Sequence, residues 1–212
     1  MSKFPFLTLA ADNVCFSREE QPIVDKLTFA LRAGESLQIK GENGSGKSSL
    51  LRLIAGLLTP TEGQILFNQQ SILSQRLDYY AHMSYLGHDA GIKANLTVKE
   101  NCEFMSEASR DKVRAILTLL GLEKMLDVLC QQLSAGQKRR VGLARVLLQN
   151  RPIWLLDEPL TALDNKIKTL WQQQMQEHLA EGGIIVFSTH QELALENSKL
   201  QTIELSACST VF

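Results

Sequence analysis

Apolar residues fall along this chain in two kinds of run. Residues 6–10, 24–31 and 62–68 are short, rich in Leu, Ile, Val and Phe, and bounded by turn signals such as Ala33-Gly34 and Thr61-Glu62-Gly63. They are predicted strands. Three further segments, 37–40, 153–156 and 184–187, end at Gly41, Asp157 and Ser188, with polar, reactive residues immediately after. Continuous apolar runs suit strands buried on both faces, as in a parallel sheet covered by helices. Ligands of such sheets bind beyond the carboxyl ends of the strands. Helices are predicted over 47–57, 109–120, 135–150, 166–180 and 191–195, and in the third of these Val141, Ala144 and Leu148 form an apolar stripe. Residues 90–135 read as helical without an intervening strand, an insertion in an α/β core.

Composition narrows the class. The chain has 212 residues, 44% hydrophobic and 21% charged, which suits one globular domain over residues 1–212. Thirteen glycines and five prolines fall below the roughly 12% of average usage, so long disordered linkers are not expected. With 22 basic against 23 acidic residues, the excess of Lys and Arg on which non-specific nucleic-acid binding depends is missing, and no nucleic-acid partner is expected. The densest basic stretch, Lys138, Arg139, Arg140 and Arg145, reads first as a solvated helix face. No apolar run is long enough for a membrane span, and the amino-terminal apolar stretch is short for a secretory signal. Cys15, Cys102, Cys130 and Cys208 lie far apart, without a CxxC pair, and read as free thiols.

Chemistry begins at Gly41-Glu42-Asn43-Gly44-Ser45-Gly46-Lys47-Ser48, which fits GxxxxGK[ST] between a predicted strand and a predicted helix. That context identifies a P-loop. Its glycines let backbone N–H groups converge on phosphate oxygens, and the helix adds the positive end of its dipole. Residues 41–49, ending at Ser49, are the candidate nucleotide contacts. Lys47 would bridge the β- and γ-phosphates, and the Ser48 hydroxyl would ligate Mg²⁺. Asp157-Glu158 follows an apolar strand. An Asp there is placed to hold Mg²⁺ through a water, and Glu158 to polarise the attacking water.

Leu133-Ser134-Ala135-Gly136-Gln137, opening the helix predicted from 135, is the third element. Ser134 is a good N-cap and Gly136 keeps the helix entry open to an anion; an ordinary capped helix is the competing reading. The segment resembles the LSGGQ signature of ATP-binding-cassette (ABC) ATPases, with Ala135 in place of the first glycine. Asp157-Glu158-Pro159 follows it, Ala162-Leu163-Asp164 looks like the D-loop of that family, and His190 stands where the family has its switch histidine. The resemblance covers almost the full chain. It implies an α/β P-loop fold with a mostly parallel core sheet, an amino-terminal antiparallel β subdomain and a helical subdomain over about 90–135. It also implies ATP and Mg²⁺ as cofactors, Glu158, His190 and Lys47 as catalytic groups, and a homodimer of cassettes in which residues 133–137 serve the ATP of the opposite protomer. The interval between Lys47 and Leu133 leaves no room for the long coiled coil of chromosome-maintenance ATPases, and a single P-loop excludes tandem-cassette translation factors.

Two positions depart from the family pattern or leave it open. After Tyr85-Leu86-Gly87 the family usually places the Q-loop glutamine; this chain has His88, a poorer ligand for hard Mg²⁺ than an oxygen. Phe16 suits either the aromatic platform under adenine or core packing. The combination of residues 85–88, Gly91-Ile92-Lys93, Leu96-Thr97 and Glu100-Asn101 with LSAGQ is similar to the haem-exporter branch of the family, which serves bacterial cytochrome c maturation. That branch implies integral membrane subunits of the CcmB and CcmC type as partners, a peripheral location on the cytoplasmic face of the inner membrane, and a coupling helix accepted at residues 92–101. The alternatives are a lipoprotein-release or drug-efflux cassette, a soluble cassette acting on nucleic acid or ribosomes, and a small-molecule P-loop kinase.

Overall fold

The computed structural model describes residues 2–18, 21–104, 106–190 and 199–205. The helix predicted over 191–195 and Cys208 lie outside them. The chain begins with a hairpin of β1 (Thr8–Arg18) and β2 (Gln21–Arg32), joined on the other side of β1 by β4 (Glu62–Phe67) and the short β5 (Gln70–Ser71) in an antiparallel sheet of order β2-β1-β4-β5. Asn68 and Gln69, both at positive φ, make the two-residue turn that suits the twist of a hairpin.

The second sheet holds β3 (Glu35–Gly41), β6 (Met83–Leu86), β7 (Ile153–Asp157), β8 (Ile184–Ser188) and β9 (Lys199–Leu205) in the order β6-β7-β8-β3-β9, every neighbouring pair parallel. Alternation of side chains along a strand divides the core between its faces. Ile153, Leu155, Ile184, Val186, Leu37 and Ile39 face a cluster shared with the antiparallel sheet and α1 (Lys47–Ile54). Trp154, Leu156, Ile185 and Phe187 face a cluster with α5 (Ala135–Gln149) and α6 (Asn165–Ala180). This double burial is why β7 and β8 read as unbroken apolar runs. The edge strand β9 is mostly exposed and gives no such run. α1 stops three residues short of its predicted end because the chain turns through Gly56 at φ +69°.

α2 (Arg76–His82) leads into β6. Between β6 and α5 lie α3 (Val98–Glu103), α4 (Arg110–Leu119) and two single 3₁₀ turns, with one isolated bridge between Thr97 and Leu129 and no strand among the described residues. Thr97 and Glu100 close a capping box on α3, and Ser109 caps α4. No helix among the described residues is long and apolar enough to cross a membrane.

Pairing aligns the strand ends that carry chemistry. Asp157 of β7 is opposite Ser188 of β8, and Ser188 is opposite Ile39 of β3, two residues before Gly41. The P-loop and the Asp157-Glu158 pair therefore leave the same edge of the sheet.

Candidate functional site

The loop after β3 carries Gly41, Gly44 and Gly46 at positive φ. Gly46 shows why: a Cβ there would lie 2.2 Å from Cγ2 of Ile23 on β2, a separation no methyl tolerates. Gly46 is also the N-cap of α1 and brings no side chain to its first N–H groups, which leaves them to an anion. The Lys47 side chain is buried across the loop. Its Nζ donates to the carbonyls of Gly41 (2.9 Å) and Glu42 (2.8 Å), so a cation stands where phosphate charge would gather. Ser48 and Ser49 follow in the first turn of α1, half-buried.

Asp157 is 1% exposed. Its Oδ1 accepts from Ser188 Oγ at 2.7 Å, while its Oδ2 is buried without a hydrogen-bond partner. Ser188 Oγ in turn accepts from the Glu158 N–H at 2.9 Å. Glu158 adopts left-handed backbone at φ 49°, which turns its carboxylate toward His190 and Thr161. Oε1 lies 2.9 Å from His190 Nε2, and Oε2 accepts from Thr161 Oγ1 at 3.2 Å. The carboxylate is thus oriented at both oxygens beside a half-exposed imidazole. The spare Oδ2 of Asp157 is a buried acceptor of the kind a hydrated Mg²⁺ would need. Among the described residues no group of three or more His, Cys, Asp or Glu could hold a metal by itself.

Ser134 caps α5: its Oγ accepts from Gln137 N–H, and Gln137 Oε1 accepts from Ser134 N–H at 2.9 Å. Leu133 is buried in the helical core, whereas Ser134 and Ala135 are exposed. A Cβ on Gly136 would sit 2.4 Å from the Ala162 carbonyl, so the first turn of α5 rests directly on residues 162–164. There Ala162 has φ 61°, Leu163 is buried and Asp164 caps α6 through Ile167 N–H at 3.0 Å. That backbone bond, with the ion pair to Arg140, holds the Asp164 carboxyl below the usual range.

The basic stretch on α5 is not the solvated face predicted. Arg139 is buried, Arg140 pairs with Asp164, and Arg145 donates to the carbonyls of Ala90 (3.3 Å) and Gly91 (2.5 Å). Burial lowers the Arg139 pKa, with Asp157 and Glu158 pulling it back up. Carbonyls at strand ends and in loops need donors, and the guanidinium fork supplies several from one side chain. No pattern in the sequence marks this use, nor that of Ser188. The His88 side chain is exposed, and its carbonyl accepts from Arg139. Phe16 is half-buried against the core of the antiparallel sheet, opposite Val24. Buried Asn101 braces residues 93–97, accepting from Lys93 N–H and donating to three carbonyls.

Comparison with known proteins shows what the chain is similar to. The sequence model of the family described as ABC transporter matches residues 24–161. A protein of Vibrio cholerae serotype O1 named cytochrome c biogenesis ATP-binding export protein CcmA is 41% identical over 202 residues, covering 93% of this chain and 98% of that one. Its namesake from Pseudomonas fluorescens is 42% identical over 89% of this chain and 91% of that one. Among solved structures, a bacterial Atm1-family ABC exporter with ATP bound superposes with a TM-score of 0.82 at 26% identity, over 97% of this chain and 38% of that one. An ATP-binding subunit of an ABC transporter gives 0.78 at 25% identity, over 86% and 79%.

Proposed function

The chain belongs to the ABC transporter family and is an ATP-hydrolysing subunit of that kind, and from this premise we propose that it powers haem handling or export for the maturation of c-type cytochromes. The observation that carries the ATPase chemistry is the chain of contacts Asp157–Ser188–Glu158–His190 at the sheet edge from which the P-loop also leaves. The transport role is supported by relatives at about 40% identity over nearly their full length that are named for cytochrome c biogenesis and export.

Residues 41–49 cradle the triphosphate, and Lys47 shifts its ammonium from the loop carbonyls to the β- and γ-phosphates. Ser48, and Asp157 through a water, hold Mg²⁺, which neutralises phosphate charge when bound. Glu158 accepts a hydrogen bond from the attacking water, and His190 steadies Glu158 and contacts the γ-phosphate. Phe16 stacks under adenine. Residues 133–137 of one protomer complete the site of the other, with Ala162, Leu163 and Asp164 between them, so two copies close on two ATP molecules. His88 takes the Q-loop position without serving as a metal ligand. Residues 1–212 form one cassette with a helical subdomain at about 90–135, docked at the cytoplasmic face of the inner membrane on integral subunits of the CcmB and CcmC type.

The test is genetic and biochemical together. Loss of the gene should abolish holo-cytochromes c, and the chain purified from native membranes should bring integral subunits with it. Intact holo-cytochromes in the deletion strain would refute the haem role and leave the ATPase assignment standing.

A further inference from the structure

Arg139 joins two pieces of backbone that the chain makes far apart. Its guanidinium donates to the carbonyls of Gly87 (2.7 Å), His88 (3.2 Å) and Asp157, and the residue is 6% exposed. Leu86 and Leu156 are the last paired residues of β6 and β7. Beyond them the two strands part, and the guanidinium fork closes the gap.

The carbonyl held on the β7 side belongs to the peptide group between Asp157 and Glu158. The N–H of that same group donates to Ser188 Oγ. A peptide group is planar and rigid, so gripping both of its edges sets the direction in which the Asp157 and Glu158 carboxylates leave the backbone. One grip is Ser188 in the sheet. The other is Arg139, which also holds the loop after β6, and Arg145 fastens that loop again at Ala90 and Gly91. A shift of the loop at position 88 therefore pulls on the plane that aims both carboxylates.

We propose that Arg139 is a positioning residue for ATP hydrolysis, clamping the Asp157-Glu158 peptide group to the loop at residues 87–88 so that Glu158 is aimed at the water only while that loop is in place. The proposal rests on Glu158 serving the hydrolytic step. It also gives position 88 a role that runs through its carbonyl, whatever its side chain.

The experiment uses the full chain with Mg²⁺ and ATP, as wild type, Arg139→Gln and Arg139→Lys. Arg139→Gln should lower kcat about tenfold or more with KM for ATP changed by less than about threefold. Binding of a fluorescent ATP analogue without Mg²⁺ should stay at the wild-type value in both variants, and Arg139→Lys, whose single ammonium cannot span both segments as the fork does, should recover only part of kcat. In a Glu158→Gln background, adding Arg139→Gln should lower the residual rate less than about twofold, because both act on one step. A kcat for Arg139→Gln within about twofold of wild type overturns the proposal, as does a rise in KM at constant kcat. Loss of ATP binding in both variants makes Arg139 a folding residue and also overturns it. A wild-type chain that hydrolyses no ATP would instead remove the hydrolytic reading on which the proposal stands.

Discussion

Glu158 holds a left-handed backbone conformation at φ 49°, which for a residue with a Cβ costs on the order of 1–3 kcal/mol. Ser188 accepts its N–H, and Thr161 and His190 engage its carboxylate oxygens. Those contacts offset the strain and leave a carboxylate fixed in direction. Glu158→Gln preserves size and most contacts but removes the proton acceptor. Its kcat should fall about 100-fold or more while ATP affinity holds, as single-turnover hydrolysis and equilibrium binding would show. His178, away from this site, is governed by burial. It stacks on Trp154 at 3.8 Å between ring centroids, and its Nε2 lies 3.0 Å from the Pro152 carbonyl. Burial pushes its pKa down to about 3, against about 6.5 in the unfolded chain. Between those values the unfolded state binds the extra proton, so the contribution of His178 is complete above about pH 6.5 and is lost as pH falls toward 3. Urea midpoints of wild type and His178→Phe compared from pH 7 to 4 should show a shallower slope in the variant, by up to one proton. His178 and Arg139 share a reason for being illegible in the sequence: both are polar types placed by tertiary packing. Lys47, Asp157 and Glu158 sit at fixed offsets from strand ends, which a sequence displays.

At the scale of elements, β3, β7 and β8 could be read from apolar runs because each is covered on both faces. The exposed edge strand β9 and the short α2, whose Tyr79 is its one buried residue, carry no such signal. α5 was legible as a helix by its stripe and cap, but not its contact with residues 162–164. That contact depends on Gly136, where an added methyl would meet the Ala162 carbonyl at 2.4 Å. Because the obstacle is backbone, Gly136→Ala should cost about 1–3 kcal/mol, lowering Tm by several degrees in calorimetry and reducing ATPase activity more than ATP binding.

At the scale of the molecule, one parallel sheet separates two cores and sends the P-loop and the Asp157-Glu158 pair out along one edge, while Ser134 and Ala135 stand exposed at the start of α5. Ala135→Asp should fold well, since an anion at a helix N-terminus is favourable. It should also repel the partner's γ-phosphate: ATP binding to single protomers should persist, and nucleotide-dependent dimerisation, followed by sedimentation of Glu158→Gln with and without the change, should be lost.

The strand order has a consequence for synthesis. β3 is made early, yet both of its neighbours, β8 and β9, are made last. While the ribosome is still translating α6, the antiparallel sheet can already close, but β3 has neither partner and the P-loop hangs from a strand with two open edges. Such edges are templates for wrong pairing, and parallel pairing across so long a stretch is slow. The nucleotide-binding loop, first of these parts to be translated, is thus among the last to be shaped, with both edges of its strand open until β8 and β9 emerge.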